Sequence, residues 1–275
     1  MPLRYTIDEL LYKNIHPLID SRKLLPVSQA VFFALKGEHR DGHDFISEVY
    51  KGGIRNFVIS VEKEAIAYDF PDATFYSVPN VLEALQKWAL HHRSKFGYPV
   101  IGITGSNGKT IVKEWLFTLL EADYQVVKSP KSYNSQIGVP LSIAMMSASH
   151  SLGIFEAGIS KVGEMQRLYE IIRPTIGILT NIGTAHDEGF LNKQQKLEEK
   201  CRLFQSCQTL IYPADDELIA AYLEQFRQKH PFLRLVGWGK KNNAVVRYEL
   251  RTRQAHQVEA KIEYMQKKFS LLLPF

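Results

Sequence analysis

The sequence contains only two cysteines, Cys201 and Cys207, in 275 residues. Two thiols six residues apart in one helical pattern provide neither a disulfide framework nor the paired cysteines of a zinc site. Long apolar runs are lacking too. No stretch approaches the ~20 apolar residues that span a membrane, and acidic residues stand near the N-terminus where a signal peptide would be apolar. We therefore expect a cytoplasmic protein that does not associate with a membrane.

Clustered charge and internal repeats are also lacking. The formal net charge is +5, but lysines and arginines are spread along the chain rather than gathered into a run. A basic balance of this kind suits anionic partners such as nucleic acid, nucleotides or phosphosugars, and equally a plain solvated surface. Because no basic run is present, we expect no nucleic-acid partner.

What the sequence does contain predicts two domains of α/β class. Residues 1–95 combine short apolar pieces, bounded by glycine, proline or charged residues, with short helical patterns, and they end in a predicted helix over 81–93. Residues 96–270 alternate apolar runs with helical segments, among them helices expected over 138–147 and 161–172, which predicts a P-loop-type, largely parallel sheet with helices on both faces. Residues 245–250 and 257–262 alternate apolar with polar and predict an antiparallel ribbon.

A predicted strand over 100–104 leads into a turn with two glycines and then into a helical pattern. The glycines let backbone N–H groups point inward, and the helix N-terminus adds positive potential, so the turn suits phosphate. Lys109 can reach the β and γ phosphates of a nucleotide, and the Thr110 hydroxyl can hold Mg²⁺. The usual spacing would place glycine at Ile103, so the loop is a variant. A plain glycine turn with an exposed lysine is the alternative. The predicted loop is Thr104, Gly105, Ser106, Asn107, Gly108, Lys109 and Thr110.

Polar residues after the neighbouring strands are candidate metal ligands, since Mg²⁺ prefers oxygen donors and shares them with phosphates. Glu156 ends one predicted strand, and His186 follows the turn after the next strand, in which Asn181 lies. Taken alone, such a carboxylate serves as often as a helix cap, and a loop histidine is usually solvated. Asn134, in a polar loop, and Lys200, in a later helix, would not be singled out by chemistry alone.

Taken in order, these segments resemble the Mur ligases, the family that builds the bacterial peptidoglycan precursor. The loop at 104–110 is similar to the family's own phosphate loop, which accounts for the missing glycine. Residues 133–142 resemble the family's Asn-rich stretch, with two positions changed. Residues 156–158 resemble its strand-end acidic motif, and 180–186 resemble its metal-binding histidine segment, although Asp187 departs from the usual apolar residue.

The resemblance implies an ATP site with two Mg²⁺ ions, in which Lys109, His186 and Lys200 are catalytic. Lys200 follows His186 by fourteen residues, the spacing at which these ligases carry a lysine that reacts with CO₂ to form a carbamate. That reaction requires a neutral amine and therefore a lowered pKa. The implied metal ligands are Thr110, Glu156, His186 and carbamylated Lys200, and the implied ATP contacts are residues 104–110 and Asn181.

The resemblance extends to the first domain, where residues 20–22, 31–38 and 41–45 are similar to the uridine-nucleotide-binding domain of the later-acting members. It implies that Ser21, Arg22 and Asn134 bind substrate. The most similar branch adds D-alanyl-D-alanine to UDP-N-acetylmuramoyl-tripeptide. ATP phosphorylates the terminal carboxylate there, and the amine attacks the acyl phosphate with release of ADP and phosphate.

Other interpretations stay open. The diamino-acid-adding Mur ligase and the folate polyglutamylating enzyme share the central domain, although the folate enzyme lacks a comparable first domain. A non-catalytic nucleotide-binding module would bind ATP without turnover. The apolar residues 271–275 predict the start of a further C-terminal domain, with a possible fusion to an alanine racemase. We accordingly expect residues 1–275 alone to have little ligase activity.

Overall fold

A computed structural model of the chain describes residues 3–23, 28–183, 187–242, 244–254 and 257–274. The chain divides into two compact units. The first comprises Met1–Gly97 and Gln136–Ala148, and the second comprises Tyr98–Ser135 and Ser149–Phe275. The domain limits expected from the sequence, with their boundary at residues 95 and 96, stay predictions.

Helices and strands alternate along much of the chain. The helices are α1 Ile7–Leu11, α2 Ile46–Lys51, α3 Val81–Arg93, α4 Lys109–Leu120, α5 Gly138–Ile143, α6 Glu164–Ile172, α7 Lys193–Cys201 and α8 Glu217–Lys229. The strands are β1 Leu3–Tyr5, β2 His16–Leu18, β3 Ala30–Phe33, β4 Asn56–Ser60, β5 Thr74–Val78, β6 Val100–Thr104, β7 Val126–Lys128, β8 Leu152–Glu156, β9 Ile176–Leu179, β10 Thr209–Pro213, β11 Arg234–Gly239, β12 Val246–Gln254, β13 Gln257–Tyr264 and β14 Lys267–Pro274. Within the described ranges, no helix has the length and apolar character needed to cross a membrane.

The first unit contains a five-stranded parallel sheet in the order β1-β5-β4-β3-β2. Its core includes Phe32, Phe57 and Phe75, each at most 1% exposed, and the last two stack with ring centroids 5.1 Å apart. The following helix α3 begins where the Asn80 side chain accepts the N–H groups of residues 82 and 83, which caps its first turn. The predicted helix over 81–93 is confirmed.

The second unit contains a nine-stranded sheet in the order β14-β13-β12-β11-β10-β9-β6-β8-β7. From β7 at one edge as far as β12, neighbouring strands, including β6, pair in parallel. Strands β12, β13 and β14 form an antiparallel meander. The predicted antiparallel ribbon is present as β12 and β13. Residues 271–274, which the sequence assigned to the start of a further domain, form the end of β14 and pair with β13.

Both faces of this sheet are covered. Successive residues along β6 point to opposite faces, and their contacts show what covers each one. Ile101 and Ile103 belong to a buried cluster against which α4 packs. The intervening Gly102 faces the other side, where an added Cβ would lie 2.8 Å from Pro174 and 3.5 Å from Leu203. The predicted α/β fold with a largely parallel, two-sided sheet is confirmed.

The order of the strands indicates where a ligand would bind. Strand β6 lies between β8 and β9, so the chain leaves β6 toward one side of the sheet and later crosses to the other. Open α/β sheets bind ligands beyond the carboxyl ends of the strands at such a reversal. The residues that follow β6, β8 and β9 therefore define the candidate site.

Candidate functional site

The loop between β6 and α4 requires glycine at two positions. Gly105 has φ +147°, and an added Cβ would lie 1.9 Å from Thr180 Oγ1 and 3.1 Å from the main chain of Asn181. Gly108 has φ +80° and forms the N-cap of α4 in the left-handed region. An L side chain rarely adopts that region, so both residues serve the shape of the loop.

Hydrogen bonds fasten the loop to the segment after β9. The Ser106 N–H donates to the Asn181 carbonyl oxygen at 3.0 Å, and Ser106 Oγ donates to the Gly183 carbonyl at 3.2 Å and accepts the Gly183 N–H at 2.9 Å. The Asn181 side chain accepts the Asn107 N–H at 3.1 Å and donates to the Asn107 carbonyl at 3.2 Å. Asn181 thus shapes the loop, and the N–H groups at the start of α4 are those that a helix leaves for a ligand.

Two lysine side chains converge on one oxygen atom of the loop. The ammonium group of Lys109 donates to the Gly105 carbonyl oxygen at 2.8 Å, and that of Lys200, which is 2% exposed, donates to the same oxygen at 3.3 Å. Burial lowers the pKa of Lys200 to about 7, and the neighbouring charges of Lys109 and Lys196 contribute to the lowering. Burial also lowers the pKa of Lys109, an effect that Glu156 opposes. The site therefore carries positive charge at a high electrostatic cost.

Lys196 is a site residue that the sequence analysis missed. It is fully buried one helical turn before Lys200, and its ammonium group donates to the Gly183 carbonyl at 2.8 Å. It therefore supports the segment to which the loop is fastened. The signal in the sequence was the four-residue spacing from Lys200, which places both lysines on one face of α7.

Glu156 lies at the carboxyl end of β8 and is completely buried. Its Oε2 accepts the Thr110 hydroxyl at 3.1 Å and the Asn134 side-chain amide at 3.5 Å, while its Oε1 makes no hydrogen bond. The structure therefore brings together Thr110, Asn134 and Glu156, three of the residues that the sequence analysis singled out. Carboxylate and hydroxyl oxygens suit Mg²⁺, which takes few protein ligands and shares the rest with water and phosphate.

Lys113 is the second site residue that the sequence analysis missed. Its ammonium group is fully buried and lies 3.1 Å from Glu156 Oε1, close enough for an ion pair although not aligned as a hydrogen bond. It also donates to the main-chain carbonyls of Ser129, at 2.8 Å, and of Lys131. A spacing of four residues from Lys109 was the available signal, but exposed lysines are so common on helices that it carried little weight.

The histidine predicted as a metal ligand, His186, lies outside the described residues. Among the residues that are described, no group of three or more histidine, cysteine, aspartate or glutamate side chains could hold a metal ion. Glu156 is thus the described carboxylate on which a metal would depend.

Ser21 and Arg22, predicted to bind substrate, lie in the first unit just after β2. Asp20 holds Arg22 through three contacts: from Nε to Oδ1 at 2.8 Å, from Nη2 to Oδ2 at 2.9 Å, and from the Arg22 N–H to Oδ1 at 3.1 Å. The hydrogen bonds from Arg22 lower the pKa of Asp20 to about 2. The guanidinium is exposed while its planar donors are oriented, an arrangement able to meet a phosphate group.

The segment at 41–45 of the first unit has a structural explanation. His43 is 4% exposed, its Nδ1 lies 2.5 Å from Asp41 Oδ1, and its Nε2 accepts the Ser60 N–H at 3.0 Å. The imidazole therefore ties the turn at 41–45 to the end of β4. This contact gives the histidine a role in the fold without requiring a ligand.

Sequence comparison relates the chain to proteins of known activity. A family model described as Mur ligase middle domain matches residues 103–274. A UDP-N-acetylmuramoyl-tripeptide–D-alanyl-D-alanine ligase of Borreliella burgdorferi is 37% identical over 202 residues, which are 70% of this chain and 44% of that protein. A protein of the same name from Treponema pallidum is 39% identical over 192 residues, 67% of this chain and 41% of that protein. The chain thus spans less than half the length of these relatives.

Comparison with solved structures finds proteins that share this fold. A crystal structure of MurF from Acinetobacter baumannii has a TM-score of 0.81 at 24% identity and covers 94% of this chain and 55% of its own. The structure of MurF ligase from Thermotoga maritima in complex with ADP has a TM-score of 0.79 at 25% identity. That match covers 97% of this chain and 60% of the ligase. A UDP-N-acetylmuramoyl-L-alanyl-D-glutamate–2,6-diaminopimelate ligase has a TM-score of 0.59 at 14% identity, and the match covers 94% of this chain and 55% of that protein.

Alanine at the two loop glycines should have unequal effects on stability. Gly108→Ala adds the cost of a left-handed alanine, about 1 kcal/mol, because the added Cβ meets nothing within 4 Å. Gly105→Ala adds a collision with Thr180 and should cost about 2 kcal/mol more. Chemical denaturation followed by circular dichroism measures both. Combining Gly105→Ala with Thr180→Ala should recover part of the loss, and equal costs for the two single variants would contradict this explanation.

Replacing Lys200 by methionine should change how stability depends on pH. Below pH about 7 the amine is charged in both states, so folding carries the full cost of burying an ammonium. Between pH about 7 and the ordinary value of 10.5, the unfolded chain keeps the proton that the folded chain has lost. The stability of the wild type should therefore rise relative to Lys200→Met by up to about 1.4 kcal/mol per pH unit.

Denaturant unfolding at pH 7, 8 and 9 in CO₂-free buffer measures this difference. Lys229→Met, at the exposed end of α8, is the matched control and should follow the wild-type profile. Parallel profiles for the wild type and Lys200→Met would show that Lys200 keeps an ordinary pKa.

Proposed function

Because this chain belongs to the Mur ligase family, we propose that it serves an ATP-dependent ligase that joins D-alanyl-D-alanine to UDP-N-acetylmuramoyl-tripeptide through an amide bond. This is the reaction for which the curated relatives are named, and the chain spans less than half of their length.

The convergence of Lys109 and Lys200 on the Gly105 carbonyl is the observation that carries the proposal. A carbonyl dipole cannot neutralise the charge of Lys109 together with that of the protonated fraction of Lys200, so the loop retains an electrostatic demand for an anion. The N-terminus of α4 adds positive potential at the same place. The polyphosphate of ATP meets this demand. The similarity to the Thermotoga maritima ligase, whose structure is a complex with ADP, supports a nucleotide at the corresponding site.

Mg²⁺ fits the carboxylate side of the site. Glu156 and Thr110 would hold one ion. His186 and carbamylated Lys200 would contribute to holding a second ion. When bound, the metal supplies electrostatic stabilisation to phosphate oxygens. Lys109 and the N–H groups at the start of α4 stabilise negative charge on the transferring phosphoryl group, which is the main task of a protein in such reactions.

The surroundings of Lys200 support the formation of a carbamate. A pKa of about 7 leaves a large neutral fraction of the amine near neutral pH. The Nζ lone pair attacks the carbon of CO₂, one proton passes to water, and the product carries a single negative charge. That charge replaces the repulsion between Lys109 and Lys200 with attraction, so the protein itself favours the reaction.

The first unit supplies the other half of the proposal. The guanidinium of Arg22, oriented by Asp20, would bind the uridine diphosphate end of the substrate together with Ser21. In the second unit, Asn134 would contact substrate beside Glu156. The names of the curated relatives at 37% and 39% identity favour D-alanyl-D-alanine as the amine. A cytoplasmic location, the absence of nucleic-acid and membrane partners, and a racemase fusion stay predictions.

Phosphate release with UDP-N-acetylmuramoyl-tripeptide, D-alanyl-D-alanine and Mg·ATP tests the reaction. We expect release by the intact polypeptide that carries residues 1–275, and nucleotide binding with little release by these residues alone. Lys109→Met should lower kcat by about 100-fold or more, because it removes charge stabilisation from the transferring group. Lys229→Met should leave kcat unchanged.

The alternative outcomes are distinct. Release only with the dipeptide precursor and a diamino acid would assign the protein to the sister ligase. Nucleotide binding without release, with every pair of substrates, would identify a non-catalytic module. No nucleotide binding at all would reject the proposal.

Carbamylation is tested separately by ¹³C NMR with ¹³C-labelled bicarbonate. The wild type should show a carbamate carbonyl signal near neutral pH that is absent from Lys200→Arg, because the arginine side chain stays protonated. Lys196→Arg should retain the signal. A carbamate signal of equal intensity in Lys200→Arg would place the reaction at another amine.

A further inference from the structure

Lys113 is a fully buried lysine that contacts several parts of the second unit. A fully buried lysine is costly unless its charge is paired and its donors are satisfied. Lys113 meets both needs: its ammonium group lies 3.1 Å from Glu156 Oε1 and 3.0 Å from Glu114 Oε1, and it donates to two main-chain carbonyls. It therefore connects α4, the chain after β7 and the end of β8 through a single atom.

The carbonyl contacts hold a strained turn. Lys131 has φ +49°, a left-handed conformation that costs a residue with a side chain about 1 kcal/mol or more. Its carbonyl oxygen accepts from Lys113, as does that of Ser129. The Ser129 hydroxyl in turn accepts the Glu156 N–H at 3.2 Å. The turn is thus connected to the main chain of Glu156 through the Ser129 hydroxyl, and to the side chain of Glu156 through Lys113.

The same turn delivers Asn134 to the site. The Asn134 carbonyl accepts the Gly158 N–H at 2.8 Å, and its side-chain amide reaches Glu156 Oε2 at 3.5 Å. Since Oε1 faces Lys113, the second oxygen, Oε2, is turned toward Thr110 and Asn134. Orientation of the carboxylate therefore follows from where the lysine stands.

We infer that Lys113 is a positioning residue, whose buried ammonium group holds Glu156 and the turn at 129–131 so that Oε2 is presented beside Thr110 to an incoming Mg²⁺–nucleotide. The inference rests on the proposed function for the identity of the ligand. Residues that orient a metal ligand in this way typically change metal affinity or activity by about 10- to 100-fold when they are replaced.

The sign of the effect separates positioning from simple charge. If the ammonium acted only as a positive charge beside the metal site, Lys113→Met would remove repulsion and strengthen Mg²⁺-dependent binding. If it positions Glu156, the same substitution weakens that binding. The quantity to measure is the ratio of the Kd for ADP in EDTA to the Kd in Mg²⁺, obtained by calorimetry.

We expect Lys113→Met to lower this ratio by about 10- to 100-fold while changing the Kd in EDTA much less. Lys113→Arg, which keeps charge and donors, should retain part of the ratio. Adding Lys113→Met to Glu156→Gln should cause little further loss, because the lysine acts through the glutamate. Lys229→Met should match the wild type. An unchanged or raised ratio in Lys113→Met, or an equal loss of affinity in EDTA, would overturn the inference.

A stability cycle in metal-free protein tests the contact without any ligand. Lys113→Met leaves a buried, unpaired carboxylate and should lower the denaturation midpoint, whereas Lys113→Met with Glu156→Gln should recover most of the loss. If the loss of stability in the double variant equals the sum of the losses in Lys113→Met and Glu156→Gln, the result would count against positioning. If the wild type shows no Mg²⁺ effect on ADP binding, the proposed function fails at the metal, and this cycle still decides whether Lys113 holds Glu156.

Discussion

The carbonyl oxygen of Gly105 accepts hydrogen bonds from two lysine ammonium groups, and the rest of the site can be understood from this crowded contact. Lys109 reaches it from the helix that follows the loop, and Lys200 reaches it from α7. The approach depends on a residue without a side chain, since an added Cβ would collide with Thr180. Like charges held together away from water are unfavourable. The folded protein therefore retains a cost at this point that an anion, or the proposed carbamate on Lys200, would relieve.

A second pair of charged residues, Glu156 and Lys113, also borders the loop, and here the two charges have opposite signs. Glu156 is a buried carboxylate whose charge is balanced by Lys113 and whose outer oxygen faces Thr110. The site is thus divided into a cationic side, suited to phosphate, and a carboxylate side, suited to a hard cation. Both sides meet because β6 lies between β8 and β9, so that the carboxyl ends of three strands lie side by side at one edge of the sheet. Sheet topology, rather than nearness in sequence, creates the pairing of charges that the proposed chemistry requires.

Local pattern predicted elements best where a strong local signal coincided with burial. The strand over 100–104 and the helix over 81–93 match to the residue, the first followed directly by Gly105 and the second capped by Asn80. The helix expected over 161–172 begins later, at Glu164, because Gly163 turns with φ +89° and Glu199 accepts the N–H groups of residues 163 and 165. The helix expected over 138–147 ends at Ile143, where i→i+3 hydrogen bonds tighten the chain. Distant or non-helical contacts set these ends.

The amino-acid sequence by itself determined the class of the fold, the glycine-containing loop after β6 and the family, because these depend on periodicity and on motifs of adjacent residues. Lys113 and Lys196 were not recognised there, since a lysine on a helix is exposed by default and their four-residue spacing from Lys109 and Lys200 does not show that they are buried. Only the tertiary structure decided that these two side chains point inward, that Asn181 fastens the loop, and that Lys109 and Lys200 share one oxygen. The physical reason is that burial and charge pairing are properties of the packed strands and helices, which bring together residues as much as 95 positions apart.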